Sequence, residues 1–348
     1  MDNEIIRIGI IGAGDNTRTM HIPYLQKLPG VEITSVCNRS IESGKKVADE
    51  FGIENVCGRW DEVILDDDID AIVIGTWPYK HCQFTCAALH RGKHVLCEAR
   101  MAMNAAEAHE MNDTLKLYPE LVGQIVPSPL TLAYDATIQD LVADGFFGEL
   151  LAVDVRGTSR SFLDKESPLH WRQDFDLSGY NTLVMGIWYE ALGRWIGPAR
   201  SVMAMSRVYV RQRREPDNGR STAVRVPEHV DAIAEMDCGA QARFQFSAVT
   251  GLGSPGHCAW LYGSEGTLCV DIDQDRLRGG RRGDEDLSEI DIKLEKKGEW
   301  RVEEEFINAI RGEEEIVLTS FADGVKYMEF TEAVALSAES GKTVHLPL

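Results

Sequence analysis

The stretch Arg7–His21, RIGIIGAGDNTRTMH, decides the fold of this chain. It opens with a short apolar run, Ile8–Ile11, that is typical of a buried strand. The chain then turns on Gly12-Ala13-Gly14, and a helix is predicted over Met20–Lys27. A strand, a glycine turn and a helix in this order predict the first unit of a dinucleotide-binding α/β domain.

The two glycines of this turn have separate physical tasks. Gly12 allows a sharp turn, and Gly14 has no side chain, so backbone N–H groups are free to approach a pyrophosphate at the positive end of a helix. The third glycine of the GxGxxG pattern is absent, because position 17 is Thr17. A tight β–α turn that binds nothing has the same local pattern, so the neighbouring residues have to decide between the two interpretations.

Length and composition set the class of protein. The chain has 348 residues, 44% of them hydrophobic, which predicts about two domains with a sizeable core. No apolar run reaches the roughly 20 residues of a membrane helix, and the N-terminus lacks the pattern of a signal peptide, so we expect a soluble, cytoplasmic protein. A net charge of −20 argues against nucleic acid and anionic membranes as partners. The eight scattered cysteines, among them Cys37, Cys97 and Cys269, are interpreted as buried reduced thiols.

Strands and helices alternate through the first third of the chain. Apolar runs predict strands over Val31–Cys37, Ala71–Gly75, His94–Cys97 and Leu121–Val126, and helices are predicted between them. Such alternation implies right-handed crossovers and a doubly wound parallel sheet covered on both faces. We therefore predict a Rossmann domain over residues 1–127.

The pattern changes after Pro127. Longer runs suited to a large open mixed or antiparallel sheet predict a C-terminal α+β domain over residues 128–348, whose last helix is expected to pack back on the Rossmann domain. Arg211–Arg225 and Arg276–Asp286 are predicted to be loops because they are polar and contain glycine. Glu303–Glu305 is interpreted as part of a solvated helix face.

Several motifs in order resemble one family end to end. They are GIIGAG at the start, HIPYLQKLPGVEITSVCNRS after it, GKHVLCE ending at Glu98, SGYNTLVMGIWYEALGRWIG over Ser178–Gly197, and the tail ESGKTVHLP. The chain is thereby similar to the glucose–fructose oxidoreductase/inositol dehydrogenase/MocA (Gfo/Idh/MocA) group of sugar and cyclitol dehydrogenases. The resemblance implies a Rossmann domain followed by an open-sheet domain that carries the substrate and usually a subunit interface, hence a homodimer or homotetramer.

The cofactor site is expected along the carboxyl ends of the first strands. An acid at the end of the second strand binds the adenosine ribose in the Rossmann scheme and repels a 2′-phosphate. Here that position is Asn38, followed by Arg39 and Ser40, and Arg18 adds a second positive charge. These residues favour NADP(H), with NAD(H) also possible. The complete set of predicted cofactor residues, some from this scheme and some implied by the resemblance, is Gly12, Gly14, Asn16, Thr17, Arg18, Asn38, Arg39, Ser40, Thr76, Trp77, His81 and Glu98.

The chain departs from the family where protons are handled. Most members have Glu-Lys-Pro after the fifth strand, and this chain has Glu98-Ala99-Arg100. The later Asp and His/Tyr positions correspond to Val184 and Trp188. The three replacing residues, Ala99, Val184 and Trp188, do not act as acids or bases at neutral pH. We therefore predict relocated catalytic groups, namely Glu190, Tyr189 and His170, with substrate contacts from Arg100, Trp171, Arg172, Tyr180 and Trp188.

Three functions stay open on the sequence alone. The first is an NAD(P)-dependent oxidoreductase that moves hydride between the nicotinamide and a sugar, cyclitol or keto-sugar. The second is a redox-neutral glycoside lyase or hydrolase with bound NAD(P), and the third is a non-catalytic protein that binds cofactor and sugar. No metal site is expected, because Cys82, Cys86 and His90, four residues apart on one helix face, are equally explained as packing residues.

Overall fold

The computed structural model describes residues 5–253 and 256–348. The chain divides into two compact units, one formed by residues 1–127 and 301–325 and the other by residues 128–300 and 326–348. Among the described residues, no helix combines the length and the apolar character that crossing a bilayer requires. The fold class predicted from the sequence is confirmed in both units.

The first unit contains a six-stranded sheet in the order β3-β2-β1-β4-β5-β6. All of its strand pairs are parallel. The order reverses direction between β1 and β4, which is the switch point where nucleotides bind in doubly wound folds. Its strands are β1 Ile6–Ile11, β2 Val31–Cys37, β3 Asn55–Cys57, β4 Ala71–Ile74, β5 His94–Cys97 and β6 Gly123–Ile125.

Helices connect the strands of this unit. A π-helical turn, Thr17–His21, leads into a short α-helix, so the helix after the glycine turn starts earlier than the predicted Met20. The helices of this unit are α1 Ile22–Leu25, α2 Ile41–Phe51, α3 Trp60–Ile64, α4 His81–Leu89, α5 Ala105–Lys116 and α9 Val302–Ile310, with a 3-10 turn at Pro78–Lys80. The helices cover the central strands, and β4, Ala71–Ile74, is apolar and buried at every residue.

The second unit contains a nine-stranded mixed sheet in the order β16-β15-β14-β13-β7-β12-β11-β8-β17. Among the described strand pairs of this sheet, β12 and β7 form the one parallel pair. Its strands are β7 Leu150–Thr158, β8 Ala199–Arg207, β11 His229–Met236, β12 Gln241–Ser247, β13 His257–Gly263, β14 Gly266–Asp271, β15 Arg276–Arg281, β16 Ser288–Glu289 and β17 Val344–His345. A separate hairpin is formed by β9 Gln212–Arg214 and β10 Ser221–Ala223.

The helices of the second unit lie before and between these strands in the chain. They are α6 Leu132–Ala143, α7 Phe175–Ser178 and α8 Met185–Ile196, with 3-10 turns at Trp171–Gln173 and Leu294–Lys296. The last helix, α10 Phe321–Ser340, contributes Phe330 to an aromatic cluster with Tyr189 and Phe244.

Two loop predictions are wrong. Arg276–Asp286 contains strand β15, because Leu277 and Gly279 alternate inward, and a Cβ at Gly279 would lie only 2.7 Å from Cδ1 of Ile290. Arg211–Arg225 contains the β9–β10 hairpin. Both segments are rich in polar residues and glycine, which are typical of loops. They form strands because they pair with neighbouring strands, and the local sequence does not indicate this pairing.

Candidate functional site

The glycine turn at the end of β1 is packed against the end of β4. Gly12 has φ +88°, and a Cβ at this position would lie 2.6 Å from Cγ2 and 2.8 Å from the backbone nitrogen of Thr76. The Gly12 amide donates to the Cys37 carbonyl at 2.8 Å, which joins the turn to β2. Only glycine satisfies both the left-handed backbone and the close approach of the neighbouring strand.

Thr17 replaces the third glycine of the motif without loss of close packing. Its hydroxyl donates to the Gly12 carbonyl at 3.2 Å and helps to close the turn. The space is provided by Gly75, where a Cβ would collide with that hydroxyl and with the Gly12 carbonyl oxygen. Gly14 is exposed, and a Cβ there would meet only the Gly75 carbonyl oxygen at 3.7 Å. The outer side of the turn is therefore open to a ligand.

Asn38 holds the glycine turn in place. Its Oδ1 accepts a hydrogen bond from the Ala13 amide at 2.6 Å. Of the neighbouring residues predicted to bind the adenosine end, Ser40 caps α2 by accepting from the Ser43 amide, and Arg18 forms an ion pair with Glu50 at 2.5 Å. Arg39 is exposed and forms no ion pair within residues 5–253 and 256–348.

The loops after β4 and β5 are joined by a buried histidine. The ring nitrogens of His81 lie 2.9 Å from the Thr76 carbonyl oxygen and 3.0 Å from the Arg100 carbonyl oxygen. Burial lowers the pKa of His81, and the hydrogen bonds to the Thr76 and Arg100 carbonyl oxygens oppose this shift in part. His81 thus holds the Thr76 and Arg100 backbone, while the Thr76 hydroxyl is buried without a partner among the described residues.

A chain of charged and polar groups lies beside the glycine turn. His21 is fully buried, with Nε2 at 3.0 Å from Oε1 of Glu98 and Nδ1 at 2.5 Å from Oε1 of Glu303. Asn16 donates to the same Oε1 of Glu98, and the Ala99 amide donates to Oε2. The network holds the two predicted cofactor residues Asn16 and Glu98 in one place.

Protonation of His21 is favoured in this setting. Burial alone lowers the pKa of His21, but hydrogen bonds to Glu303 and Glu98 outweigh it and raise the pKa from 6.5 to about 9. Burial by itself raises the pKa of Glu98, and its bonds from His21 and Asn16 bring that pKa below the usual range. An imidazolium between two carboxylates is the result.

This network was not predictable from local sequence, and one of its members, Glu303, was assigned to a solvated helix face. The interpretation of Glu303–Glu305 as solvated is wrong for Glu303 and Glu305, which are each 1% exposed. Glu305 accepts from the Val317 and Leu318 amides and from the Gln124 side chain. The only available signal was the position of Glu303 and Glu305 beside the apolar residues of an amphipathic helix.

In the second unit, Tyr189 and Glu190 have partners inside the fold. The Tyr189 ring stacks on Phe330 at a centroid distance of 3.8 Å, and its hydroxyl accepts from the Ala199 amide at 2.8 Å. Oε1 of Glu190 accepts from Nη1 of Arg194 at 2.6 Å and from the Ser128 amide at 2.9 Å. These contacts explain both residues as structural, and their catalytic role stays a prediction.

The remaining predicted residues of the second unit occupy different places. His170 is exposed, and its Nδ1 accepts from the Arg172 amide, while the Arg172 guanidinium lies 4.2 Å from the Trp171 ring centroid. Tyr180 lines a cavity of about 400 Å³ together with Thr182, Met185 and Arg225. Trp188 is fully buried. The structure thus groups His170 with Trp171 and Arg172 and sets Tyr180 in a cavity.

The cysteine-bearing helix α4 does not form the predicted alternative ligand set. Nδ1 of His90 lies 2.5 Å from the Cys86 carbonyl oxygen, and its ring packs against Tyr118. Ligand atoms of Cys82, Cys86 and Glu110 lie within 4.8 Å of one another. Cys37, Cys97 and Cys269 are buried free thiols, as predicted, whereas the prediction of buried thiols is wrong for Cys57, which is half-buried, and for Cys238, which is exposed.

Sheet order, glycine turn and switch-point loops define a Rossmann-type fold, and a family model described as an oxidoreductase family with an NAD-binding Rossmann fold matches residues 6–123. A second model, described as the GFO/IDH/MocA C-terminal domain, matches residues 136–269. The chain belongs to the GFO/IDH/MocA family.

Relatives with assigned names agree with this membership. An uncharacterized oxidoreductase of Rhizobium meliloti is 29% identical over 43% of this chain and 45% of its own length. The 1,5-anhydro-D-fructose reductase of Ensifer adhaerens is 32% identical over 43% of this chain and 44% of its own length. The chain thus matches less than half the length of these relatives. Levoglucosan dehydrogenase in complex with NADH and levoglucosan superposes with a TM-score of 0.85 at 20% identity, covering 99% of this chain and 100% of that chain, which shows the shared fold.

Proposed function

We propose that this protein transfers hydride between a nicotinamide cofactor and a hydroxyl-bearing or keto carbon of a sugar-like molecule. The observation that carries the proposal is the cradle around Gly12, Gly14 and Gly75, open on its outer side and built at the switch point of the sheet. Relatives named as a 1,5-anhydro-D-fructose reductase and a levoglucosan dehydrogenase support a sugar-like substrate.

The residues present fit a dinucleotide. The exposed Gly14 leaves backbone amides accessible to a pyrophosphate, and the buried Thr76 hydroxyl has no partner among the described residues. Asn38 fixes the turn through the Ala13 amide, and the His21 network holds Glu98 and Asn16 beside it. When bound, the nicotinamide supplies the hydride donor or acceptor, while these residues bind and orient it.

Activity is tested directly with the purified protein. It is incubated with NAD⁺ or NADP⁺ and a panel of D-glucose, myo-inositol, levoglucosan and glycosides, and with the reduced cofactors and D-fructose or 1,5-anhydro-D-fructose. We expect a substrate-dependent change of nicotinamide absorbance with a stoichiometric sugar product. Sugar products without net cofactor conversion would instead favour the glycoside lyase or hydrolase, for which the apolar Ala99, Val184 and Trp188 are the supporting observation.

Complete inactivity despite cofactor binding would favour the third function, a protein that binds cofactor and sugar. The same three apolar replacements support that candidate. A binding measurement with the panel sugars separates this third function from an enzyme that was offered the wrong substrate. A binding protein binds one of the sugars saturably and does not convert it.

We further propose a preference for NADP(H). Asn38 lacks the negative charge that repels a 2′-phosphate, and Arg39 beside it is an exposed cation without an ion pair among the described residues. Arg39→Ala is expected to weaken NADPH binding at least tenfold, about 1.4 kcal/mol, and to change NADH binding less than twofold. Calorimetry with both cofactors measures this, and Arg91→Ala, another exposed arginine of the same unit, is the control. Equal losses for both cofactors would contradict the preference.

We also propose that the open face of the nine-stranded sheet pairs with a second copy of the chain. Met203, Met205, Ile233 and Tyr262 are exposed on this face, with Met205 68% exposed. They surround the ion pair of Arg243 and Asp154 on the neighbouring strands β12 and β7. Several exposed apolar side chains on one sheet face are a feature of subunit interfaces.

Met205→Glu tests this surface. Burying a charge at this position of the proposed interface is costly, so we expect the mass measured by light scattering to shift from that of an oligomer to that of a single chain. Leu294→Glu, at a position that is 87% exposed and outside the sheet, is the control and is expected to leave the oligomer intact. A wild-type protein that is monomeric at all concentrations would overturn the proposal.

A further inference from the structure

We infer that His257 contacts the substrate and donates a hydrogen bond from Nε2–H to one of its hydroxyl or carbonyl oxygens. This inference rests on the proposed function and names a ligand-contacting residue within the second unit. It concerns a hydrogen bond without proton transfer, because the ring keeps its proton throughout.

The first observation is the partner of Nδ1. The indole Nε1 of Trp188 lies 3.4 Å from Nδ1 of His257. An indole N–H is a donor only, so Nδ1 has to accept. In a neutral imidazole whose Nδ1 accepts, the proton resides on Nε2. Since Trp188 is fully buried, it holds this tautomer from the interior of the unit.

The second observation is that Nε2 is available. His257 is half-buried, and its Nε2 makes no hydrogen bond within the described parts of the chain. Its backbone is fixed, because its amide donates to Oδ2 of Asp273 and its carbonyl accepts from the Ile272 amide at 3.0 Å. A rigid backbone, a fixed tautomer and an unpaired donor together are what a preorganised ligand contact requires.

The third observation is the place of His257 in the sheet. It is the first residue of β13 and pairs with Gly157 of β7. Val184 packs onto Gly157 so closely that a Cβ there would collide with its Cγ2, and α8 begins at the next residue. Leu183, directly before it, has φ +50°, which is strained for a branched side chain.

Both apolar replacements at the family's acid/base positions therefore lie around this histidine. Val184 packs on the strand residue opposite His257, and Trp188 contacts its Nδ1. Helix α8 has no polar side chain at these two positions. The polar side chain of His257 is instead provided by β13, the strand that pairs with β7. Sequence analysis did not select His257, because nothing in its local sequence indicates a contact with Trp188.

The inference is tested by two substitutions of His257. His257→Ala is expected to lower kcat/KM for the best substrate of the panel at least thirtyfold, with the cofactor Kd unchanged within twofold. His257→Gln places an amide N–H near the position of Nε2 and is expected to stay within about fivefold of wild type. Equal and severe losses in both variants would indicate proton transfer and overturn the inference, as would wild-type kinetics in His257→Ala.

The matched control is His229→Gln. This histidine is also half-buried and begins strand β11, but it pairs with Asp231 at 2.8 Å. We expect its kinetic constants to equal those of wild type. A loss as large as that of His257→Ala would show that any histidine change at strand starts disturbs the sheet, and it would contradict the specific role of His257.

A spectroscopic readout separates this inference from the proposed function. In protein labelled with ¹⁵N-histidine, the resonance lost in His257→Gln is expected to show the Nε2–H tautomer, and Trp188→Phe is expected to remove that preference. D-fructose or the best panel substrate should shift the same Nε2 resonance. An Nδ1–H tautomer, or an Nε2 resonance that does not shift at saturating ligand, overturns the inference even if the enzyme turns over. A shifted resonance without any turnover contradicts the proposed oxidoreductase activity and leaves the inference standing.

Discussion

Gly12→Ala is expected to weaken dinucleotide binding at least a hundredfold. The substitution places a Cβ 2.6 Å from Cγ2 and 2.8 Å from the backbone nitrogen of Thr76, and it does so at φ +88°. The Cγ2 methyl group of Thr76 is able to rotate away, but its backbone nitrogen lies in the segment directly after β4 and is held by the chain. The turn must open, and the amides that face the pyrophosphate lose their common direction.

The control for this variant is Gly92→Ala in the same unit. Gly92 also has a positive φ, +70°, but a Cβ there meets nothing within 4 Å. Gly92→Ala therefore has the backbone strain of an alanine at positive φ, about 1 kcal/mol, but lacks the steric collision of Gly12→Ala. We expect its calorimetric affinity for NAD(P)H to match that of wild type. An affinity of Gly12→Ala equal to that of Gly92→Ala would show that the turn does not form the binding site.

His21→Leu is expected to lower the free energy of unfolding by about 3–5 kcal/mol. The change removes the cation from between two carboxylates, Glu98 and Glu303, of which Glu303 is 1% exposed. A buried carboxylate left without its partner accounts for a loss of this size. Urea denaturation followed by circular dichroism measures the change.

The double variant His21→Leu/Glu303→Leu is the control for this interpretation. It removes the stranded carboxylate together with the cation, so we expect it to recover part of the stability lost in the single variant. If the double variant is instead less stable than His21→Leu, by the full cost of a second core substitution, then lost packing explains the destabilisation and lost charge pairing does not.

The same network predicts a dependence of stability on pH. The pKa of His21 is raised from 6.5 to about 9 on folding, which corresponds to about 3 kcal/mol of stabilisation. Because the folded-state pKa is the higher one, this contribution is complete below pH 6.5 and is lost as the pH rises through about 9. The stability difference between wild type and His21→Leu should narrow across that window, and a constant difference from pH 6 to pH 10 would contradict it.

The parts of the fold that were predictable from the sequence are set by local patterns. Strands β1, β4 and β5 of the first unit are mostly apolar, buried runs separated by helices, and the turn at Gly12 follows β1 directly, so a parallel sheet is predictable from the local pattern. Glu303 was misjudged because its partner His21 lies 282 residues away in the chain. A charged residue on an amphipathic helix gives no local sign that an imidazole is buried against it.

The same limit applies to the second unit. Glu190 and Tyr189 follow Trp188 in a motif shared with the family, and this adjacency suggested chemistry for them. Their side chains instead reach Arg194, Ser128, Ala199 and Phe330. His257 has no motif at all, and only its contact with Trp188 selects it. The surroundings of these side chains depend on contacts across a sheet or between elements that are distant in the chain. A short stretch of sequence does not indicate such contacts.

The most direct measurement is calorimetric titration of the wild-type protein with NADPH and NADH. Saturable heat at one nucleotide per chain, with tighter binding of NADPH and a ligand-dependent rise of Tm, is the predicted result. Absence of both heat and thermal stabilisation with either nucleotide at millimolar concentration would contradict the assignment of the glycine turn as a cofactor site.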